Sequence, residues 1–457
     1  MKNLIVVCFS VLFLSCIQSQ EKVSSTALLI TNVNVVDVRN GVIAKAQHIV
    51  IDSGAFTSIS GQLKNPEDYK NRIDAEDQFI LPGLSEMHAH IPSPPTSQTR
   101  IEETLFLYLS NGITTIRGML GHPSHLELRE RTLNGELLSP RIVTSSPSLN
   151  GNTVQTPEEA RNKVTAYAKA GYDFLKIHPG IQLDVFEELA QTAREQGIPF
   201  AGHVPVDVGI HRAIESEFAT IDHVDGFLEG LVDKEKINDP NDNGFFGFSF
   251  TPMADTSKIK DLVQRSKTKN VWVVPTQSLF ERWYAPTTAD EMLSQPEMKY
   301  MPRATLDNWR ERKEQATGID SGFDKDQWNT FIAIRRQLIK EIQDHGKGIL
   351  LGSDAPQIFN VPGFSIHHEI EGMIRAGLTP VEVLQSGTIN VAEYLDMQDV
   401  FGEIKSGLQA DAVLVKNNPL ENIAALKDIR GVLINGNWIS REEIDKHLKE
   451  IELNANK

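Results

Sequence analysis

Eight apolar, strand-like runs recur through the middle of the chain, and most are followed by polar stretches with helical periodicity. They are LPGLSEMHAH (81–90), GITTIRGM (112–119), RIVTSSPSL (141–149), YDFLKIHPG (172–180), IPFAGHVP (198–205), TIDHVDG (220–226), NVWVVPTQSL (270–279) and GILLGSDAP (348–356). Strands joined through helices run parallel, because the crossover returns the chain to the same end of the sheet. Eight such units predict an α/β fold, a (β/α)8 TIM barrel, with reactive groups at the C-terminal ends of the strands. Residues 157–170 and 183–196 have the clearest helical spacing. Residues 234–343 exceed one βα unit and must contain extra helices. Their Trp-, Arg- and Glu-rich part, 309–336, reads as a solvated helical insertion.

The two ends of the chain follow a different rhythm. From Ala27, ALLITNVNVVDVRNGVIAKAQHIVIDSGAFTSIS alternates apolar and polar residues and is broken by turn signals at 39–41 and 52–54. GEIKSGLQADAVLVKNNPL (402–420) and GVLINGNWIS (431–440) repeat that character near the end. Period-two alternation between turns marks short antiparallel strands. The expected organisation is a small β-sandwich made from residues 27–82 plus 403–450, flanking a barrel over 83–402.

The first residues lie outside that fold. Lys2 precedes an apolar stretch, 4–14, too short to span a bilayer, and Leu14-Ser15-Cys16 resembles a bacterial lipobox, with Phe13 where Leu is commoner. Residues 1–16 therefore read as a lipoprotein-type signal peptide and 17–26 as a tether. The expected location is the bacterial cell envelope, on the periplasmic or outer-membrane side, with a lipid anchor at Cys16. Cys8 and Cys16 are the only cysteines, so the folded body has no disulfide. A net charge of −16 argues against nucleic acid as a partner.

The chemistry sits at the strand ends. His88 and His90 are two apart, so on a strand both point to one side, where imidazole nitrogens suit a divalent metal such as zinc. The following strands end with Lys176, His203, His223 and Asp354. Singly, each has an ordinary use: a strand-end lysine is commonly a solvated charge, and Ser-Asp a helix cap. Their occurrence in this order on successive strands points to a metal centre. A lysine ammonium repels a cation, but a lysine made neutral by burial can react with carbon dioxide to give an anionic carbamate. Four histidines, one modified lysine and one aspartate would then hold two cations. His178 faces the same side as Lys176 and is a candidate for substrate contact. Arg117 and Arg212 are candidates to receive a substrate carboxylate. His122, His125, His367 and His368 read as solvent-facing.

These motifs, with AGLTPVEVLQSGTINVAEYLDM (376–397) and GEIKSGLQADAVLVKNNPL, resemble the amidohydrolase superfamily of metal-dependent hydrolases, from about residue 27 onward. The imidazolonepropionase-like and prolidase-like branch is the most similar. The resemblance implies a binuclear site with His88 and His90 on one metal, His203 and His223 on the other, and a carboxylated Lys176 bridging them. It further implies that Asp354 binds the first metal and carries the proton. Two positions depart from the pattern: Glu86, where relatives commonly have Asp, and Gly118, where Asp often follows the arginine. The implied activity is cleavage of a C–N bond by metal-activated water. The first expectation is a cell-envelope dipeptidase or prolidase-like amidohydrolase. The alternatives are a cyclic-amide, lactone or ester hydrolase and, in a different class, a non-catalytic metal-containing envelope lipoprotein.

Overall fold

Alternation near the N-terminus produces a meander of long antiparallel strands, β1 (Leu28–Asp37), β2 (Val42–Asp52) and β3 (Ala55–Ser60). The structure, a computed structural model, describes residues 24–63 and 65–456, so the expected signal peptide and Cys16 lie outside the described residues. Two short strands, β4 (Asn71–Asp74) and β5 (Phe79–Pro82), return parallel to β1.

The chain then enters its parallel region. Strands β6 (Leu84–Ala89), β7 (Ile113–Gly118) and β8 (Arg141–Thr144) form one sheet in that order. Strands β9 (Leu175–Ile177), β10 (Phe200–Gly202), β11 (Thr220–Asp222) and β12 (Trp272–Val274) form a second. Isolated parallel bridges Ser145–Phe174 and Leu149–Ile177 connect the first sheet to β9. Bridges Val273–Ile349 and Ala89–Ala355 connect β12 and β6 to the extended stretch 349–355. Every residue of β6 and β7 is buried, as expected of parallel strands covered on both faces.

The chain ends in β13 (Ala412–Val415), β14 (Ile429–Ile434) and β15 (Asn437–Ser440). β13 pairs antiparallel with β5, so both ends of the chain meet in one eight-stranded sheet. Its order is β15-β14-β13-β5-β1-β2-β3, with β4 on β1. Ile30, Val33, Ile49, Phe56, Ile80, Leu414 and Leu433 give this sheet its own core. The whole is a mixed α/β fold.

The helices Pro157–Ala170 and Leu183–Gln196 occupy the expected residues. The first is capped by Thr156, which accepts a hydrogen bond from the Glu159 N–H. The 309–336 segment is a correction. It falls in helices Arg303–Thr317 and Lys325–His345, which bury Trp309, Phe331, Ile334 and Leu338. Helical spacing puts Phe331, Ile334 and Leu338 on one face, so the charges that suggested a solvated insertion lie mainly on the other. Among the described residues no helix is long and apolar enough to cross a membrane.

Candidate metal centre

His88 lies in β6 and His90 just beyond it, and they share a target because their spacing matches the strand period. His90 Nε2–H donates to Asp354 Oδ1 at 2.7 Å, and His88 Nε2 lies 3.5 Å from the same oxygen. Ligand atoms of His88, His90 and Asp354 all fall within 4.8 Å of one another, a separation that fits one metal ion.

The other histidines join from the neighbouring strands. The His88 and His223 rings are 4.5 Å apart, as are those of His203 and His223. His223, just past β11, and Asp354 have φ of 65° and 64°. Left-handed backbone is uncommon outside glycine, His and Asp adopt it more readily than most residues, and it collects at functional sites. Lys176, inside β9, is fully buried, and its Nζ has no hydrogen-bond partner. Gly202 makes room for it: a Cβ there would lie 2.4 Å from the Ile177 carbonyl and 3.2 Å from Lys176 Nζ.

A layer of oxygens stands behind the imidazoles. His88 Nδ1 lies 3.1 Å from Asp222 Oδ2. His203 Nδ1–H donates to Asp225 Oδ2 at 3.2 Å, and His223 Nδ1 shares a 2.8 Å hydrogen bond with Thr276 Oγ1. Holding Nδ1 of His203 and His223 leaves Nε2 of those two rings available, and His223 Nε2 is buried without a hydrogen-bond partner. This is the arrangement in which a carboxylate or hydroxyl orients a metal-binding histidine. Burial drives His88 and His223 well below the ordinary imidazole range, so both rings are neutral and able to act as ligands. Burial also lowers Lys176 to about 8, bringing its free amine within reach of neutral pH. Burial works against the Asp354 carboxylate, but His88, His90 and Lys176 outweigh it and hold the group at about 2.

The structure thus gathers His88, His90, Lys176, His203, His223 and Asp354. It also places His178 beside them, its ring stacked on His203 at 5.2 Å and its Nδ1 bonded to Ser148 Oγ at 2.8 Å. The two arginines are placed otherwise. Arg117 is fully buried beneath the cluster, where it donates to the Met87 carbonyl, Thr220 Oγ1, Tyr394 Oη and Asp222 Oδ1. Its guanidinium orients Asp222 and is closed to a substrate carboxylate. Arg212 is half exposed on the helix Gly209–Glu215 and pairs with Glu187 at 3.0 Å.

Four histidines expected in solvent are placed differently. His125 is fully buried and His367 nearly so, its Nε2 hydrogen-bonded to Asn111 Oδ1. His122 caps the helix Pro123–Leu133 and is half-buried, and His368 Nε2–H donates to Glu297 at 2.8 Å. Helix faces that pack inward account for His125 and His367. Asp222, Asp225, Thr276 and Glu86 carry roles that the sequence reading did not assign. Glu86 accepts from Ser353 N and Oγ at 2.7 and 2.5 Å, and from the His88 N–H at 3.1 Å, which fastens β6 to the extended stretch bearing Asp354. The available signal was DHVDG, where carboxylates flank His223 one residue before and two after.

Buried imidazoles, a lysine and a carboxylate converge where the parallel strands end, the donor set of a metal centre. The chain belongs to the amidohydrolase family, whose model matches residues 79–439. It is 28% identical over 193 residues to adenine deaminase 2 of Desulfotalea psychrophila, a stretch covering 39% of this chain and 32% of that protein. The chain thus spans about a third of the length of this curated relative. Among solved structures, it is similar to a bottromycin amidohydrolase, with TM-score 0.70, 20% identity, and 94% and 91% of the two chains covered. It is also similar to a Xaa-Pro dipeptidase with methionine bound in its active site, with TM-score 0.63, 20% identity, and 91% and 100% covered.

Proposed function

We propose that this protein hydrolyses an amide C–N bond at a two-metal centre held by His88, His90, Lys176, His203, His223 and Asp354. One observation carries the reading: the buried His223 Nε2 and Lys176 Nζ make no hydrogen bond, with only Asp222 Oδ2 standing 3.9 Å from the amine, while the opposite nitrogen of His223 is fixed by Thr276. Buried polar atoms normally find partners, so a pair left free in a histidine cluster fits ligands awaiting a cation. The parallel strands and their bridging stretch are read as a closed (β/α)8 barrel over 83–402. The terminal sheet is read as a small sandwich from 27–82 and 403–450.

When bound, two divalent cations, zinc by ligand type, would lower the pKa of water from 15.7 to about 7 and polarise the scissile carbonyl. The remaining steps belong to the chain. Lys176, neutral in part near pH 8, adds its nitrogen to carbon dioxide and releases a proton, which exchanges a cation for an anionic carbamate. Asp354 Oδ1 is held by His90, and Oδ2 lies 3.9 Å from His223 Nδ1, so the carboxylate stands between the two histidine pairs. There it takes a proton from the attacking water and returns it to the leaving nitrogen. Asp225 and Thr276 keep the His203 and His223 imidazoles in one tautomer and orientation.

A dipeptidase among the structural neighbours makes dipeptides the first substrates to try. The placement of Arg117 and Arg212 favours a second reading, in which the substrate has no free carboxylate, as in a cyclic amide, lactone or ester. The lipobox-like segment supports a cell-envelope setting through an anchor at Cys16. The purified protein, loaded with zinc in bicarbonate, is assayed on dipeptides including Xaa-Pro, N-acyl amino acids, cyclic amides and esters. Turnover is expected, and Asp354→Asn is expected to lower it by about 10²–10⁴-fold. Wild-type rates in that variant sink the proton-carrier role.

A further inference from the structure

We infer that Phe246, on the loop after β11, forms the wall of an aromatic subsite and makes this enzyme select substrates with an aryl group beside the scissile bond. The inference rests on the hydrolase reading above. Phe246 lies over the cluster, its ring 5.7 Å from His203 and 5.2 Å from His223. The ring is only half-buried, as is His203, so each keeps part of its face exposed.

The backbone goes to unusual lengths to put it there. Phe246 has φ 50° and ψ 50°, a left-handed conformation that is an outlier for a bulky residue. Gly244 before it (φ 70°, ψ −151°) and Gly247 after it (φ 82°) complete the reversal. Neither glycine can be replaced freely. A Cβ at Gly244 would lie 2.3 Å from Ser249 Oγ, and one at Gly247 would lie 2.9 Å from Glu229 Oε2. Glu229 also accepts from Asn243 Nδ2 at 2.9 Å and pins the start of the turn. Strain of this kind persists where the surroundings enforce it, and it concentrates at ligand sites.

Phe246 does not act alone. Phe245 packs against it at 4.9 Å and stacks on Tyr284 at 4.4 Å, and Trp283 meets Phe245 edge-on at 5.0 Å. All of these aromatics are half-buried, while Phe280, behind Phe246 at 5.1 Å, is fully buried. Aromatic side chains grouped in this way offer a large apolar contact area. Here that group adjoins histidines proposed to bind the metal. An aryl group on the substrate can stack on Phe246 while its carbonyl faces the imidazoles.

Two metal-chelating probes that differ only in their substituent separate this idea from the hydrolase reading. Binding of benzohydroxamate and acetohydroxamate to the zinc-loaded full chain is measured by calorimetry, alongside metal content. The wild type is expected to bind the benzo compound roughly tenfold tighter, the scale of one aromatic contact. Phe246→Ala should erase that preference while leaving acetohydroxamate binding and metal content unchanged, and Phe246→Trp should keep it. Equal affinities in the wild type, or a preference that survives Phe246→Ala, overturn the subsite. Absence of metal and of binding by either probe overturns the hydrolase reading beneath it. If Phe246→Ala does not fold, Phe246→Leu replaces it, and a full aryl preference in that variant also overturns the proposal.

Discussion

Arg117 and Asp222 show how much of the centre depends on groups that touch no substrate. Both are fully buried, and Arg117 Nη2 lies 3.1 Å from Asp222 Oδ1 while the other carboxylate oxygen faces His88 and Lys176. Removing one partner of a buried pair leaves the other charge uncompensated, at about 3–5 kcal/mol. Arg117→Met is therefore expected to lower the urea midpoint strongly, and adding Asp222→Asn should recover part of the loss. A single variant as stable as wild type would show that the pair is dispensable. The pair also explains a limit of sequence reading. His88, His90, Lys176, His203, His223 and Asp354 are legible because their chemistry recurs at successive strand ends. Arg117 reads as a candidate for substrate because a strand-end arginine looks the same whether it faces solvent or is enclosed. Only the three-dimensional neighbourhood, with the Met87 carbonyl and Thr220 hydroxyl around it, distinguishes the two.

At the scale of elements, helices show the same division. Residues 157–170 and 183–196 are legible to their ends because Thr156, Gly171 and Gly197 punctuate them. The helix Lys325–His345 is less so, since its charged residues obscure a buried stripe that includes Arg335. That arginine sits over the Phe280 ring at 3.4 Å and donates to the His223 carbonyl. The helix Ser365–Arg375 likewise carries a buried carboxylate, Glu369, whose Oε2 accepts from the Ser278 N–H at 2.7 Å. Burial pushes Glu369 from 4.5 up to about 7. A carboxyl raised in the folded state binds its proton more tightly there than in the unfolded chain. Its stabilising share is complete below pH 4.5 and is lost as pH rises through 7. The loss is on the order of 3 kcal/mol. Glu369→Gln, which keeps an acceptor without a charge, should flatten the decline in Tm between about pH 5 and 8. An unchanged slope would mean that the carboxyl is ionised in the fold at neutral pH.

At the scale of the molecule, the sheet that joins the two terminal segments adjoins the strand that opens the site. β5 ends at Pro82, and β6, which carries His88, begins at Leu84. β13 aligns β5 through the pairs Ala412–Pro82, Val413–Leu81, Leu414–Ile80 and Val415–Phe79. Arg141, on β8, is tied to Asp411 at 2.8 Å, so the terminal sheet also grips the parallel region from a second strand. A chain stopped at residue 402 retains every proposed ligand yet loses both attachments. It also loses the buried Val413, Leu414, Val415, Ile429, Val432, Leu433 and Ile434. At about 1.5–3 kcal/mol for each such side chain, the loss is comparable with the whole stability of a domain, about 5–15 kcal/mol. The exposed edge of β5 would invite aggregation as well. The truncated chain is therefore expected to unfold without a sharp transition and to retain no zinc after dialysis. If it melts cooperatively and keeps its metal, the terminal sheet is an appendage, and the register of β6 is set within the parallel region alone.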